Sequence, residues 1–246
     1  MPNKKIGSLK NLQLRILRIQ QGTFHKKERM IILFEGVDTS GKGGAIRRIT
    51  ENLDPRGFIV YPIGVPSEDE QGKHYLYRFW KKLPSKGMMA LFDRSWYGRV
   101  LVERVEKLID KQTYQRAYTE INQFEKMLTD DGVKIIKISL KISKKEQLKR
   151  LEERLKDPYK QWKITKDDIR NRSNWNYYQK AYEDMLQQTN TPNAPWHVVE
   201  TDNKEEARHQ VLEIIINQCK ATEAWMEKNA KSIDLKDIKK ALKSLD

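Results

Sequence analysis

At 246 residues, 38% of them hydrophobic, the chain has material for one substantial α/β domain with its own core. Its single cysteine, Cys219, excludes an internal disulfide and a cysteine-only metal site, and sets a reducing, cytoplasmic location as the expectation. Lysine and arginine number 48 against 34 acidic residues, and a surplus of +14 asks for a polyanionic partner unless it is only a solubilising surface.

The N-terminus has no apolar run behind its lysines, so no secretory signal is expected, and the apolar run 30–34 is too short to span a bilayer. No membrane partner is expected. Leu9, Leu12, Ile16 and Ile19 recur at helical spacing and predict an amphipathic helix over 8–21. Residues 29–34 form a continuous apolar run ending near Gly36, the pattern of a buried strand. A glycine-rich segment follows, then a helix over 44–53 closed by Asp54-Pro55, and a second strand over 58–63. Residues 68–82 read as an aromatic, basic helix, and 88–92 as a third strand ending at Asp93. A helix over 97–108 should bury Leu101, Val105 and Leu108; a longer one covers 113–128. The fourth strand is expected over 133–142, and Ser143 with Glu146 makes a capping-box pattern for the helix that Asp157-Pro158 closes. A helix over 165–188, a fifth strand over 196–200, a core helix over 203–220 and a basic helical tail over 221–246 complete the chain.

Strands alternating with helices predict a parallel five-stranded sheet covered on both faces. The charged segment 143–180 reads as a lid inserted in this one domain.

Residues 36–43, Gly-Val-Asp-Thr-Ser-Gly-Lys-Gly, fit the first seven positions of G-x-x-x-x-G-K-[ST] and lie between a predicted strand and a helix. In that setting the backbone N–H groups of Gly36, Thr39, Ser40, Gly41, Gly43 and Gly44 can wrap a phosphate while Lys42 adds a point charge. The eighth position departs from the pattern: Gly43 replaces the hydroxyl that normally ligates Mg²⁺. The loop carries Asp38 instead. A bare carboxylate about 4 Å from a phosphate charge costs roughly 4 kcal/mol at an effective dielectric near 20, so a divalent cation between them is expected.

Asp93 ends a strand, where ligands of an open parallel sheet gather, so Asp93 and the loop should face one crevice. Arg94 and Arg99 flank it in Asp-Arg-Ser-Trp-Tyr-Gly-Arg, which reads as an anion held beside a metal or as a simple ion pair at a strand end. Arg78 is a further candidate lining of the crevice. Arg150 and Arg154 share a helix face in the basic segment and are expected at the phosphates, although Glu146, Glu152 and Glu153 also allow a solvated surface helix.

Together, the loop with Asp38 and the string Phe-Asp93-Arg-Ser-Trp-Tyr-Gly-Arg99 resemble the polyphosphate kinase 2 family, a likeness extending over about 8–220. The resemblance implies a three-layer P-loop kinase fold with a helical lid. It implies Mg²⁺-dependent, reversible phosphoryl transfer between inorganic polyphosphate and a nucleoside mono- or diphosphate, AMP or ADP. It places metal and phosphate roles on Asp38, Lys42 and Asp93, phosphate contact on Arg94 and a lid role on Arg154. Tyr97, Arg99 and Arg104 match further family positions, the tyrosine expected in the acceptor crevice and the two arginines at the phosphates. The stretch from Tyr97 to Val105 looks like that of AMP-phosphorylating members. Two rival readings remain: an ATP-dependent, thymidylate-kinase-like nucleotide kinase, and a nucleic-acid or polyanion-binding protein with a vestigial loop. No nucleic-acid-reading motif is present, and the apolar surface of the first and last helices is read as serving a homo-oligomer.

Overall fold

The computed structural model describes residues 8–229 and 242–243. Five strands form one parallel sheet in the order β2-β3-β1-β4-β5: β1 is Arg29–Glu35, β2 Phe58–Pro62, β3 Met89–Asp93, β4 Val133–Lys141 and β5 Trp196–Glu200. Every residue of β1 after Arg29 is buried, which is why its sequence is apolar without alternation. Side chains still alternate between faces. Met30, Ile32 and Phe34 join a core with Leu12, Ile16, Ile19, Ile49, Leu212 and Ile215. Ile31 and Leu33 join the opposite core with Phe92, Trp96, Ile121, Phe124 and Met185. The result is the expected three-layer fold.

The first core is closed by α1 (Leu9–His25), α2 (Lys42–Thr50) and, near the C-terminus, α9 (Lys204–Gln218). On the other face lie α3 (Tyr77–Trp80), α4 (Val102–Val105), α5 (Lys111–Asp130) and α8 (Trp175–Thr189), with α6 (Lys144–Lys156) and α7 (Lys166–Ser173) between β4 and α8. Helix α10 (Lys220–Asn229) packs on α1, where Arg15 forms a bidentate pair with the buried Glu223 carboxylate at 2.6 and 2.8 Å. Apart from 242 and 243, the rest of the predicted tail lies outside the described residues, as do residues 1–7.

Several helices differ from the sequence reading for local reasons. The helix expected over 68–82 is a 3-10 turn, Glu68–Glu70, followed by the four-residue α3, because Gly72 takes φ +71° between them. The one expected over 97–108 is a 3-10 turn, Trp96–Arg99, then α4, and Lys107 at φ +56° ends it, leaving Leu108 exposed rather than buried. The one expected over 165–188 breaks at Asn174. Only half of the capping box at α6 forms. Ser143 Oγ accepts the Glu146 N–H, while the Glu146 carboxylate turns to Arg150 and the Ser143 N–H to Asp202.

One ion pair lies wholly inside the second core. Lys137 Nζ donates to Glu125 Oε2 at 2.7 Å, to Tyr97 Oη at 2.8 Å and to the Thr189 carbonyl at 2.8 Å. Trp96 Nε1 and Tyr97 Oη donate to the other Glu125 oxygen at 3.0 and 2.7 Å. The charges are tolerable there because the donors and acceptors are matched.

Candidate active site

The phosphate loop leaves β1 at the switch point of the sheet, since its neighbours β3 and β4 lie on opposite sides of β1. Gly36 is required by close approach: a Cβ there would stand 2.6 Å from both the Leu140 carbonyl and Ser40 Oγ. Gly41, at φ +108°, ends the loop and opens α2 without a side-chain cap, so the first N–H groups of the helix stay available to an anion. Lys42 Nζ bends back to the Gly36 and Val37 carbonyls at 2.6 and 3.3 Å. Burial and the nearby Arg94 pull the Lys42 ammonium below its ordinary range, opposed by Asp38, Asp93 and Glu35.

Asp38 is the hub. Its Oδ1 accepts from Arg94 Nη2 at 2.6 Å, its Oδ2 from Asn171 Nδ2 at 2.6 Å, and its carbonyl from Gln147 Nε2 at 3.3 Å. Burial opposes ionisation here, but Lys42, Arg94 and the Asn171 amide hold the carboxyl below the usual carboxylate range. Asp93 ends β3 beside Phe34, the last residue of β1 in that ladder, and a Cβ at Gly43 would stand 4.0 Å from its Oδ2. The glycine that replaces the usual hydroxyl therefore leaves the space beside a second carboxylate open. Arg94 follows at φ +65°, a left-handed turn that brings its guanidinium across to Asp38.

Two cavities flank the loop. The larger, 330 Å³, lies between the loop, α6 and α9 and is ringed by Arg150, Arg154, Lys160, Lys204 and Arg208, with Glu153 the single carboxylate among its lining residues. Thr39 and Ser40 also line it, and their hydroxyls are buried without a hydrogen-bond partner. The smaller, 50 Å³, is lined by Glu35, Asp38, Arg94, Asn171, Tyr178 and Tyr182, among others.

The structure gathers Asp38, Lys42, Asp93 and Arg94 around the loop and puts Arg154 at the larger cavity, half-buried and with no carboxylate partner among the described residues. Arg150 differs from expectation. It is 4% exposed and engages the Thr39 carbonyl at 3.0 Å, the Thr201 carbonyl and Glu146, so it braces the loop's carbonyls instead of presenting its donors to phosphate. Tyr97 is not a crevice residue: it is fully buried on Glu125 and Lys137. Arg78 pairs with Glu70, Arg99 with Glu103 and Arg104 with Asp184, and none of the three lines either cavity. Their charges are neutralised in structural pairs. Asn171, Gln147, Glu35, Tyr178, Tyr182, Lys204 and Arg208 were not singled out by sequence, because each sits in a helix or strand whose periodicity marks it as ordinary surface or core.

A loop of this geometry at the switch point of a parallel sheet defines a P-loop kinase fold. The profile of the family described as polyphosphate kinase 2 matches residues 3–227. A polyphosphate:AMP phosphotransferase of Pseudomonas syringae pv. tomato is 48% identical over 190 residues, 77% of this chain but 38% of that protein. An ADP-polyphosphate phosphotransferase of Pseudomonas aeruginosa is 40% identical over 207 residues, 84% of this chain and 68% of that one. The crystal structure of polyphosphate kinase 2 from Arthrobacter aurescens TC1 superposes with a TM-score of 0.84 at 35% identity, covering 87% of this chain and 77% of that one. The chain belongs to the polyphosphate kinase 2 family. It spans about two fifths of the length of the AMP-type relatives it matches.

Proposed function

We propose that the chain catalyses reversible, Mg²⁺-dependent phosphoryl transfer between inorganic polyphosphate and a nucleoside phosphate, with AMP the preferred acceptor. The observation carrying this reading is the cavity beside the phosphate loop, lined by Thr39, Ser40 and Gly41 of the loop and by the cations Arg154, Lys160, Lys204 and Arg208. Cations set beside the open N-terminus of α2 give phosphate oxygens charge-assisted donors. A chain of phosphates would lie along Arg154 and Arg208, and would reach Lys160 and Lys204 by drawing them from their exposed pairs with Asp157 and Glu153. The smaller cavity, at 50 Å³, is far below the size of a nucleotide site, so an acceptor could reach Asp38 and Arg94 only once α7 and α8 move away from the loop.

The AMP preference rests on the 45–48% identity to AMP-type relatives against 40% to the ADP-type one. The expected cytoplasmic location and homo-oligomer stand as part of the same reading. Among the described residues no helix is long and apolar enough to cross a membrane.

Asp93, with space beside it at Gly43, fits Mg²⁺, which binds through one or two carboxylates and completes its shell with water and substrate phosphates; Asp38 would join it on releasing Arg94 or Asn171. Asp38 and Asp93 would hold it, and the ion would neutralise charge between the phosphate groups. Phosphoryl transfer leaves the protein mainly positioning and charge stabilisation. Lys42 leaves the loop carbonyls for a phosphate oxygen, the α2 N-terminus cradles the same group, and Arg94 and Arg154 approach the transferring group from the two cavities. Closure of α6 and α7 over the loop excludes water that would otherwise accept the phosphoryl group.

The test is to supply Mg²⁺, long-chain polyphosphate and AMP or ADP in turn, and to follow new nucleotide. ADP formed from AMP at the expense of polyphosphate is expected. Product only with ATP as donor would point to a conventional nucleotide kinase, and no product with any pair would leave a polyanion-binding role.

A further inference from the structure

Glu35 is the last residue of β1, 2% exposed, immediately before the phosphate loop. Its Oε1 accepts from Ser95 Oγ at 2.8 Å, and Ser95 is itself 2% exposed. The same hydroxyl accepts the Tyr97 N–H at 3.3 Å and so caps the 3-10 turn Trp96–Arg99. Ser95 directly follows Arg94, whose N–H donates to the Phe34 carbonyl at 3.0 Å and whose backbone is left-handed. One hydroxyl thus sits where the root of the phosphate loop meets the turn that aims the Arg94 guanidinium at Asp38.

A glutamine at 35 would accept the same hydrogen bond without burying an ionisable group. The charges acting on it are Lys42 and Arg94, which also repel one another. A left-handed arginine persists only where its surroundings hold it, and the Glu35–Ser95 bond is the side-chain contact beneath this one.

We propose that Glu35 and Ser95 are a positioning pair for phosphoryl transfer: the Glu35 carboxyl fixes the Ser95 hydroxyl, and the hydroxyl fixes the turn that aims the Arg94 guanidinium at Asp38. This rests on the phosphotransferase reading of the loop. Neither residue touches substrate; each acts through Arg94.

The experiment is a double-mutant cycle on Glu35→Ala and Ser95→Ala, with Glu35→Gln and Ser95→Thr as conservative partners, in the polyphosphate and AMP assay. Each alanine variant is expected to lower kcat at least about ten-fold while KM for AMP changes less than about three-fold. The double variant should be no slower than the slower single one, because both remove one shared link. Ser95→Thr, which keeps the hydroxyl, should recover most of the rate, and Glu35→Gln should fall between wild type and Glu35→Ala. Losses that multiply in the double variant, or a threonine variant as slow as the alanine one, would overturn the proposal. Hydrogen exchange gives a readout that does not need turnover. The amides of residues 94–97 should exchange at least about ten-fold faster in Ser95→Ala and Glu35→Ala, with the amides of β4 unchanged. Unchanged exchange at 94–97, or an equal rise across β4, would also overturn it. Wild-type protein inactive with every polyphosphate and nucleotide pair refutes the phosphotransferase reading instead, and the exchange experiment then decides the pair by itself.

Discussion

Asp38 and Arg94 are 56 residues apart in sequence and meet at 2.6 Å across the mouth of the phosphate loop, with Asn171 of α7 on the other carboxylate oxygen. The loop, the end of β3 and the α6–α8 segment therefore converge on one carboxylate. Removing its charge should be decisive. Asp38→Asn is expected to lower kcat by at least about a hundred-fold, the scale of losing one preorganised charge contact, while the thermal midpoint stays within a few degrees. Near-normal turnover in this variant would take Asp38 out of the metal and phosphate site.

Arg150 and Arg154 lie one helical turn apart and should separate cleanly. Arg154→Ala is expected to lower kcat more than it raises KM for AMP, because an open cation at the cavity stabilises charge in transfer. Arg150→Ala strips donors from the Thr39 and Thr201 carbonyls and should cost about 2–4 kcal/mol of stability, read as a lower denaturation midpoint. Equal stability of the two variants would contradict the bracing role.

Tyr97 belongs to the motif that carried the family resemblance, yet its hydroxyl ends on Glu125 and Lys137. Tyr97→Phe should destabilise by about 1–2 kcal/mol with KM for AMP unchanged. Lys137→Met, which leaves the Glu125 carboxylate buried and unpaired, should cost about 3–5 kcal/mol. A rise in KM for AMP in Tyr97→Phe would restore the tyrosine to the substrate site.

Burial pushes the Glu35 carboxyl up to about 7 from 4.5, although Ser95, Lys42 and Arg94 draw it back. The folded state therefore binds more protons than the unfolded one between these values, and this group's contribution to stability falls as pH rises through that window. Glu35→Gln lacks the slope. Its stability relative to wild type should climb by up to about 3 kcal/mol from pH 4.5 to 7 and level off above it. A pH-independent difference would show that Glu35 titrates normally.

The sheet was legible because β1 and β3 are apolar runs ended by glycine or acid, β4 is an isoleucine-rich run entered through Asp131-Gly132, and β5 follows a proline-marked turn. The loop residues and Asp93 were legible because a strand–loop–helix pattern fixes where they stand. What sequence could not reveal was which charges are already paired. Arg78 reads like a crevice residue, and Arg99 and Arg104 like phosphate ligands, until Glu70, Glu103 and Asp184 are placed beside them. Asn171 is 133 residues from Asp38, and helical periodicity gives no sign that it closes on the loop. The helix expected over 68–82 failed on one glycine whose left-handed backbone outweighed the flanking pattern.

The most direct test is the initial rate of ADP formation from AMP with long-chain polyphosphate and Mg²⁺, in wild type and Asp38→Asn. The account predicts polyphosphate-dependent ADP in the first and at least about a hundred-fold less in the second. No ADP from polyphosphate in the wild type, with product appearing only when ATP is supplied, would contradict it.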